Sequence, residues 1–353
     1  MNIFIAFIIF LSKRASKKRF QAQKNERKVK ERMITTMNNA YMPEGSLLYS
    51  AENLSAISNI SSLEKAMQQG KILEGVANMC DSSLSLHIDL GGIEGIIPRE
   101  ECVLSLNGEE IKDIAIITRV GKPVCFKVLS IEPYGNTYRA ILSRKRAQAE
   151  CKNYYLSSLL PGDIIPATVT HLESFGAFVD IGCGIISLLS IDCISISRIS
   201  HPSDRLASGM KICVVIKSND TLSGRIYVSQ KELLGTWREN AESFSVGQTV
   251  TGIVRSVENY GVFVELAPNL AGLAELRDDN VNMKNLKAGQ SAAVFIKSII
   301  PERMKIKLVL IDSYQTPVSP QPLKYYINTN EISHIDRWQY SPDECAKIVE
   351  TVF

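Results

Sequence analysis

Two stretches decide the reading. Residues 162–169 run Gly-Asp-Ile-Ile-Pro-Ala-Thr-Val and lead into Ser174-Phe-Gly-Ala-Phe-Val-Asp180. Residues 247–254 run Gly-Gln-Thr-Val-Thr-Gly-Ile-Val and lead into Asn259-Tyr-Gly-Val-Phe-Val-Glu265. Gly162 to Gly176 and Gly247 to Gly261 each span 14 residues, and the whole pattern recurs after 85. A shared glycine, a shared aromatic-Gly-x-Phe-Val-acid unit and a shared spacing mark an internal repeat, which sets the architecture.

A weaker copy lies upstream. Gly70-Lys-Ile-Leu-Glu-Gly75 parallels Gly247 to Gly252, and Leu84-Ser-Leu-His-Ile-Asp-Leu90 stands where the aromatic strand belongs. Gly95-Ile-Ile-Pro98 then matches Gly184-Ile-Ile-Ser187 and Gly272-Leu-Ala-Glu275. Each copy closes with two more strand signals: Val124 to Ile131 and Tyr138 to Ser143, Ile212 to Lys217 and Gly224 to Ser229, Ala292 to Ile299 and Met304 to Ile311. The alternation is period two, broken by Gly, Asn, Asp and Pro. Five short strands per unit suit a small closed barrel, because closure removes exposed edges. The expected fold class is mainly β: tandem five-stranded barrels of the oligonucleotide-binding type, joined by short α-helices.

The helices read as follows. Arg144 to Leu159 sets Ala147, Cys151, Tyr154 and Tyr155 on one face, before Pro161-Gly162. Gln230 to Phe244 sets Leu233, Trp237 and Ala241 at i, i+4, i+8, and Ser61 to Gln69 precedes Gly70. A last helix is expected from Ser341, with Pro342 in its first turn and a stripe of Cys345, Ile348, Val349 and Val352. Pro317, Pro320 and Pro322 mark residues 313–330 as an extended linker. The expected divisions are a basic extension over 1–45, a helical lead-in over 46–69, barrels over 70–148, 159–232 and 245–312, and a linker with an amphipathic helix over 313–353.

At 353 residues, with 45% hydrophobic and 22% charged residues, the chain is an ordinary globular one. Its formal charge of +3 conceals an asymmetry. Residues 1–41 carry ten Lys and Arg against two Asp and Glu, which leaves 30 against 35 for the remainder. Ile3 to Leu11 is apolar but shorter than the roughly 17–25 residues of a membrane span. Its positive charges follow rather than precede it, unlike a secretory signal. A membrane-surface anchor, a basic RNA-binding arm and an extension from an upstream start codon all fit; the unusual composition favours the last, and little fixed structure is expected before about residue 45. Membrane insertion is not expected.

The eight cysteines form no CxxC pair. Cys183, Cys193 and Cys213 read as apolar core residues in a reducing compartment, consistent with a cytoplasmic location. No GxxxxGK[ST], HExxH or GxSxG motif occurs, and His87, His171, His201 and His334 show no ligand spacing. The expectation is a protein without catalysis, without a cofactor and without a small-molecule substrate.

The repeat resembles the S1 RNA-binding domains, the oligonucleotide-binding barrels named after ribosomal protein S1. The resemblance rests on Phe175-Gly-Ala-Phe-Val-Asp180, Tyr260-Gly-Val-Phe-Val-Glu265, Ser200-His-Pro-Ser203 and Gly224-Arg-Ile-Tyr-Val-Ser229. It is strong over 159–312 and weak over 70–146, and the arrangement looks like a short bacterial S1-like protein with three barrels. It implies base stacking on Phe175, Phe178, Tyr260 and Phe263. It implies backbone contacts from Arg225 and Lys305, with Arg303 beside the latter, and from Asp220 and Glu302. His201 fits a turn residue and an RNA contact equally. Arg225 fits both a phosphate contact and a local pair with Asp220. The histidine frequent after the Gly-aliphatic-aliphatic turn is replaced by Ser187 and Glu275. The first copy holds Leu84 and His87 at the aromatic positions, which implies weak RNA binding or a docking role.

Alternation supports the stacking residues independently. Phe178 and Asp180 share one side of a strand opposite Val179 and Ile181; Phe263 and Glu265 share a side opposite Val264 and Leu266. Phe178 and Phe263, with their acids, are therefore expected to face water. The phase of Phe175 and Tyr260 stays open. His171 reads as structural, and Trp237, Trp338 and Tyr340 as packing anchors. The repeats are nearly neutral, so few phosphates are expected to be neutralised; the third is the most basic and is expected to bind best. The leading expectation is binding of single-stranded RNA or mRNA in translation, with the small ribosomal subunit as partner. The alternative is an adapter docking on a ribosome, RNA polymerase or nuclease.

Overall fold

The computed structural model describes residues 41–105, 111–275, 286–314 and 323–353. The expectations placed on residues 1–40 and on Pro317, Pro320 and Pro322 lie outside these.

Two short helices lead in: α1 (Ala51–Ile57), capped by Ser50, and α2 (Ile60–Gln68), capped by Asn59. They lay Ala56, Leu63 and Ala66 on the end of the first barrel. That barrel contains β1 (Leu73–Cys80), β2 (Leu86–Asp89), β3 (Glu94–Ile97), β4 (Pro123–Tyr134) and β5 (Thr137–Ser143), with α3 (Asp113–Ile117) between β3 and β4. Its closed order is β1-β2-β3-β5-β4. The connector α4 (Arg144–Ser158) follows without a break, its first turn capped by Ser143. The second barrel contains β6 (Ile164–Glu173), β7 (Gly176–Asp180), β8 (Ile186–Ser190), β9 (Lys211–Asp220) and β10 (Arg225–Ser229). After a short connector with α5 (Trp237–Ala241), the third contains β11 (Thr249–Glu258), β12 (Gly261–Ala267), β13 (Leu270–Glu275), β14 (Ser291–Ile300) and β15 (Lys305–Tyr314). The second and third barrels close in the same way as the first. In each, the third and fifth strands run parallel and every other pairing is antiparallel.

The alternation that predicted the strands is the alternation that fills the barrels. In β10, Ile226 and Val228 are buried while Arg225 and Tyr227 turn outward. In β12, Val262 and Val264 are buried between half-exposed Phe263 and Leu266. Each such aliphatic contributes roughly 1.5–3 kcal/mol on burial.

Four sequence expectations need correction. The connector expected as one helix over Gln230 to Phe244 is broken. A single 3-10 turn at Lys231–Leu234 ends at Gly235, whose φ of +84° no helix accommodates, and Thr236 then caps α5 with a capping box. The C-terminal helix does not form. Glu350–Val352 is instead a strand, β17, pairing with β16 (Arg337–Gln339). The Val349 carbonyl accepts from the Tyr340 amide at 2.8 Å, so hydrogen bonds between two segments of the chain replace helical ones. The described part of the expected linker is not an open spacer. Tyr325 and Ile327 of that stretch, with Ile335 beyond it, pack on Ile164 and Val215 of the second barrel and on Leu233, while Trp338 and Tyr340, expected as packing anchors, enter the core of the third. This strap staples the two barrels together. Lastly, Glu44, expected within an extension without fixed structure, is enclosed by the fold.

The barrels meet through buried charge. Glu44 accepts from Arg144 Nε at 2.7 Å and from the Cys125 amide at 3.0 Å, and its own amide donates to Asp180 at 2.8 Å. Asp180 also accepts from the Gly182 and Gly184 amides. At the next joint, Glu265 accepts from Arg205 of the second barrel and from Arg255 Nε at 2.6 Å, while Arg255 also reaches Asp204 at 3.1 Å. Asn269, fully buried, donates to the Lys231 and Gly235 carbonyls at 2.8 Å and accepts from Ile196 at 3.0 Å. Asp180 and Glu265, expected on the watered side, are thus buried, the first against the lead-in at Glu44 and the second against Arg205 of the preceding barrel. Burial first, and the charge of Glu44 second, lift the Asp180 carboxyl to about 7.

Two predictions follow from these contacts. Glu265→Gln leaves Arg205 and Arg255 buried against a neutral amide; it should cost about 3–5 kcal/mol, read from denaturant unfolding of the full chain. His334 in the strap faces two carboxylate acceptors, Asp163 2.7 Å from Nδ1 and Asp336 3.2 Å from Nε2. The Asp163 hydrogen bond raises its pKa above the ordinary histidine value. The staple's histidine contribution is therefore complete below the unfolded histidine pKa and fades as pH rises through the higher folded one. The stability gap between the native chain and His334→Gln should narrow across that rise when Tm is followed against pH.

Candidate nucleic-acid interface

The glycine inside each aromatic motif is where the site begins. A Cβ at Gly176 would lie 2.5 Å from the Leu189 carbonyl oxygen, and one at Gly261 would lie 2.7 Å from that of Ala274. Only glycine allows the second and third strands to approach this closely. The close approach starts β7 and β12 immediately after Phe175 and Tyr260. It leaves these rings on the turn and brings each beside the ring three residues on. Phe175 and Phe178 meet edge to face with centroids 6.0 Å apart and an 88° interplanar angle; Tyr260 and Phe263 do so at 6.2 Å and 90°.

The two members of each pair differ in exposure. Phe175 is 53% exposed and Tyr260 63%, which settles the phase that alternation left open. Phe178 and Phe263 are half-buried and face outward between buried neighbours. They continue into rows across neighbouring strands. Phe178 lies beside Leu188 and Leu188 beside Tyr227; Phe263 lies beside Leu273 and Leu273 beside Lys307. Arg225 and Lys305 open the last strands of these rows, both exposed, with no carboxylate within 4.0 Å among the described residues. Arg303 is exposed just before Lys305.

Other expected contacts have structural work. Asp220 accepts from the Leu222 and Ser223 amides and from the Ser223 hydroxyl at 2.5 Å, so it builds the β9–β10 turn. These bonds, led by the Ser223 hydroxyl, hold its carboxyl below the usual range. His201 caps the 3-10 turn at Pro202–Asp204, with Nδ1 2.8 Å from the Ser203 hydroxyl; its turn role is the one the geometry shows. Ser187 is buried and donates to the Ile226 carbonyl, out of reach of any ligand. Glu275 pairs with Lys307 at 3.3 Å. Glu302 is exposed. His171, expected as structural, is exposed beside Phe178 in register and paired with Glu173 at 2.7 Å.

The same face of the first barrel is different. Leu84 sits in a left-handed turn position, φ +63°, and packs on the core. His87 occupies the place of Phe178 and is held between Asp81 at 3.0 Å and Glu94 at 3.1 Å. Arg139, in the place of Arg225, is held by Glu94 through Nε and Nη2 at 3.0 and 2.8 Å and stacks on Tyr134 at 3.4 Å. The groups that would meet a nucleotide are committed to one another. Among the described residues, no group of three or more His, Cys, Asp or Glu is arranged to hold a metal, and no helix is long and apolar enough to cross a membrane.

Residues 159–231 match the S1 RNA binding domain family. The chain is S1-like. It is similar to small ribosomal subunit protein bS1 of Leuconostoc lactis, at 32% identity over 264 residues, covering 71% of this chain and 57% of that protein. The Rickettsia conorii protein of the same name is 30% identical over 243 residues, covering 66% of this chain and 41% of that one. The Staphylococcus aureus protein is 29% identical over 302 residues, with coverage of 81% and 74%. The chain therefore spans about half the length of the first two relatives. The S1-type resemblance read from the aromatic motifs is confirmed, and so is the architecture of five-stranded barrels.

The glycine constraint is testable. Gly176→Ala places a methyl group against a backbone carbonyl that has no room to move; it should destabilise the chain by about 1–3 kcal/mol, measured by thermal unfolding.

Proposed function

We propose that this chain binds single-stranded RNA, mRNA in particular, through the second and third barrels. It acts in translation at the small ribosomal subunit, in the cytoplasm and without catalysis. The observation that carries this reading is the duplicated aromatic pair. In two barrels, an exposed ring and an outward half-buried ring stand edge to face, each pair followed across the sheet by an exposed cation. A flat exposed ring contributes about 1–3 kcal/mol per stacked base irrespective of base identity. An Arg or Lys at the end of the row supplies the phosphate contact. The similarity to ribosomal proteins named bS1 supports the translational setting.

The first barrel does not share this role. Its histidine and arginine are already held by Asp81 and Glu94, and no ring pair replaces Leu84. RNA binding falls to the other two barrels, which are nearly neutral overall. Affinity comes from stacking more than from counterion release, so the log–log salt slope should stay shallow, at about two or three released counterions per barrel.

The test is a titration of labelled single-stranded RNA. Phe178→Ala combined with Phe263→Ala should weaken binding more than about tenfold while leaving the unfolding transition intact. Unchanged affinity, or a slope as steep as that of a strongly basic protein, rejects the reading.

A further inference from the structure

The second barrel carries more of a binding surface than its aromatic pair. β10 presents Arg225 and Tyr227 on the outward side, with Ile226 and Val228 buried between and beyond them. Tyr227 is in register with Leu188, which is in register with Phe178. The row from Phe178 to Tyr227 thus crosses two strand spacings, about 10 Å. Leu188 is half-buried between the two rings, and Ile186 flanks it, 50% exposed. The Tyr227 hydroxyl has no hydrogen-bond partner among the described residues, although its ring is only half-buried. A buried-core role does not explain it: the strand's core positions are Ile226 and Val228.

A second cation stands at the same end. Lys152 belongs to α4, outside the barrel and outside the stretch that matches the family. Its ammonium reaches the β9–β10 turn: a Cβ at Gly224 would lie 2.7 Å from Lys152 Nζ. Gly224 directly precedes Arg225, so the turn brings the two cations to one end of the row. Lys152 is half-buried, and no carboxylate lies within 4.0 Å of it among the described residues. The helix is fixed to the barrel here, because Asn219 donates to the Tyr155 and Leu159 carbonyls at 2.9 and 3.2 Å. An unpaired cation held at this place suits an anion arriving from solvent.

We propose that Tyr227, Arg225 and Lys152 form a further nucleotide subsite on the second barrel. The base lies on the Tyr227 ring, and its phosphate is held between Arg225 and the connector helix's Lys152. The proposal rests on the RNA-binding reading above and extends the path by one nucleotide beyond Phe175 and Phe178. The other barrels lack it. The place of Tyr227 is taken by Ile141 in the first and by Lys307, already paired with Glu275, in the third. The second barrel, rather than the more basic third, then binds the longer stretch of RNA.

The experiment uses the full chain with Tyr260→Ala and Phe263→Ala, so that the second barrel dominates. Labelled single-stranded RNA is titrated at several salt concentrations. Tyr227→Leu, which keeps an apolar side chain but removes the ring, should weaken binding by about fivefold or more, while Tyr227→Phe retains it. Lys152→Gln should lower the salt slope by about one. The proposal is overturned if Phe175→Ala with Phe178→Ala weakens binding while Tyr227→Leu and Lys152→Gln each stay within about twofold of their parent. If the phenylalanine variant also binds as its parent does, the RNA-binding reading itself is lost.

Discussion

The Leu189 carbonyl stands where a side chain on residue 176 would have to go, and the Ala274 carbonyl does the same at residue 261. This backbone contact closes the barrel between its second and third strands. It also determines where the aromatic motif ends its turn and begins its strand. The exposed ring before the glycine and the outward ring two residues after it are brought edge to face by one steric constraint. The ring pair is thus a by-product of barrel closure, which is why it recurs whenever the motif does. Where the motif decays, in the first barrel, closure survives through other residues but the ring pair does not.

Charge is used in two separate ways. Carboxylates are withdrawn from water at both joints: Glu44 is matched with Arg144 and Glu265 with Arg205 and Arg255, while Asp180 is held by backbone amides, that of Glu44 among them. Such buried pairs add little net stability, but losing one partner is costly, which favours a single arrangement. The outward cations Arg225 and Lys305 are left free of such partners among the described residues. The first barrel shows the contrary state. There Glu94 ties Arg139 and His87 together, and the polar groups of the equivalent surface are committed to one another. Three barrels of one topology therefore divide into two open faces and one closed one.

Much of this was legible in the residues. The 85-residue recurrence gave the barrels, and period-two alternation correctly turned Phe178 and Phe263 outward. The same parity misplaced Asp180 and Glu265, because alternation reports which side of a sheet a residue occupies and not what covers that side. The C-terminal stripe of Cys345, Ile348, Val349 and Val352 has helical spacing, yet the segment turns back on Tyr340 and pairs as a strand. Trp338 and Tyr340 are drawn into the third barrel's core, and that long-range contact overrides local propensity.

Local patterning therefore determined the number of barrels, their strands and which rings face outward, since each depends on residues within a few positions of one another. Tertiary structure alone decided how the barrels join, that Asp220 and His201 build turns, and that Lys152 reaches the end of the Tyr227 row. Those outcomes depend on groups far apart in the chain, whose meeting is set by packing between elements and leaves no period or motif to read.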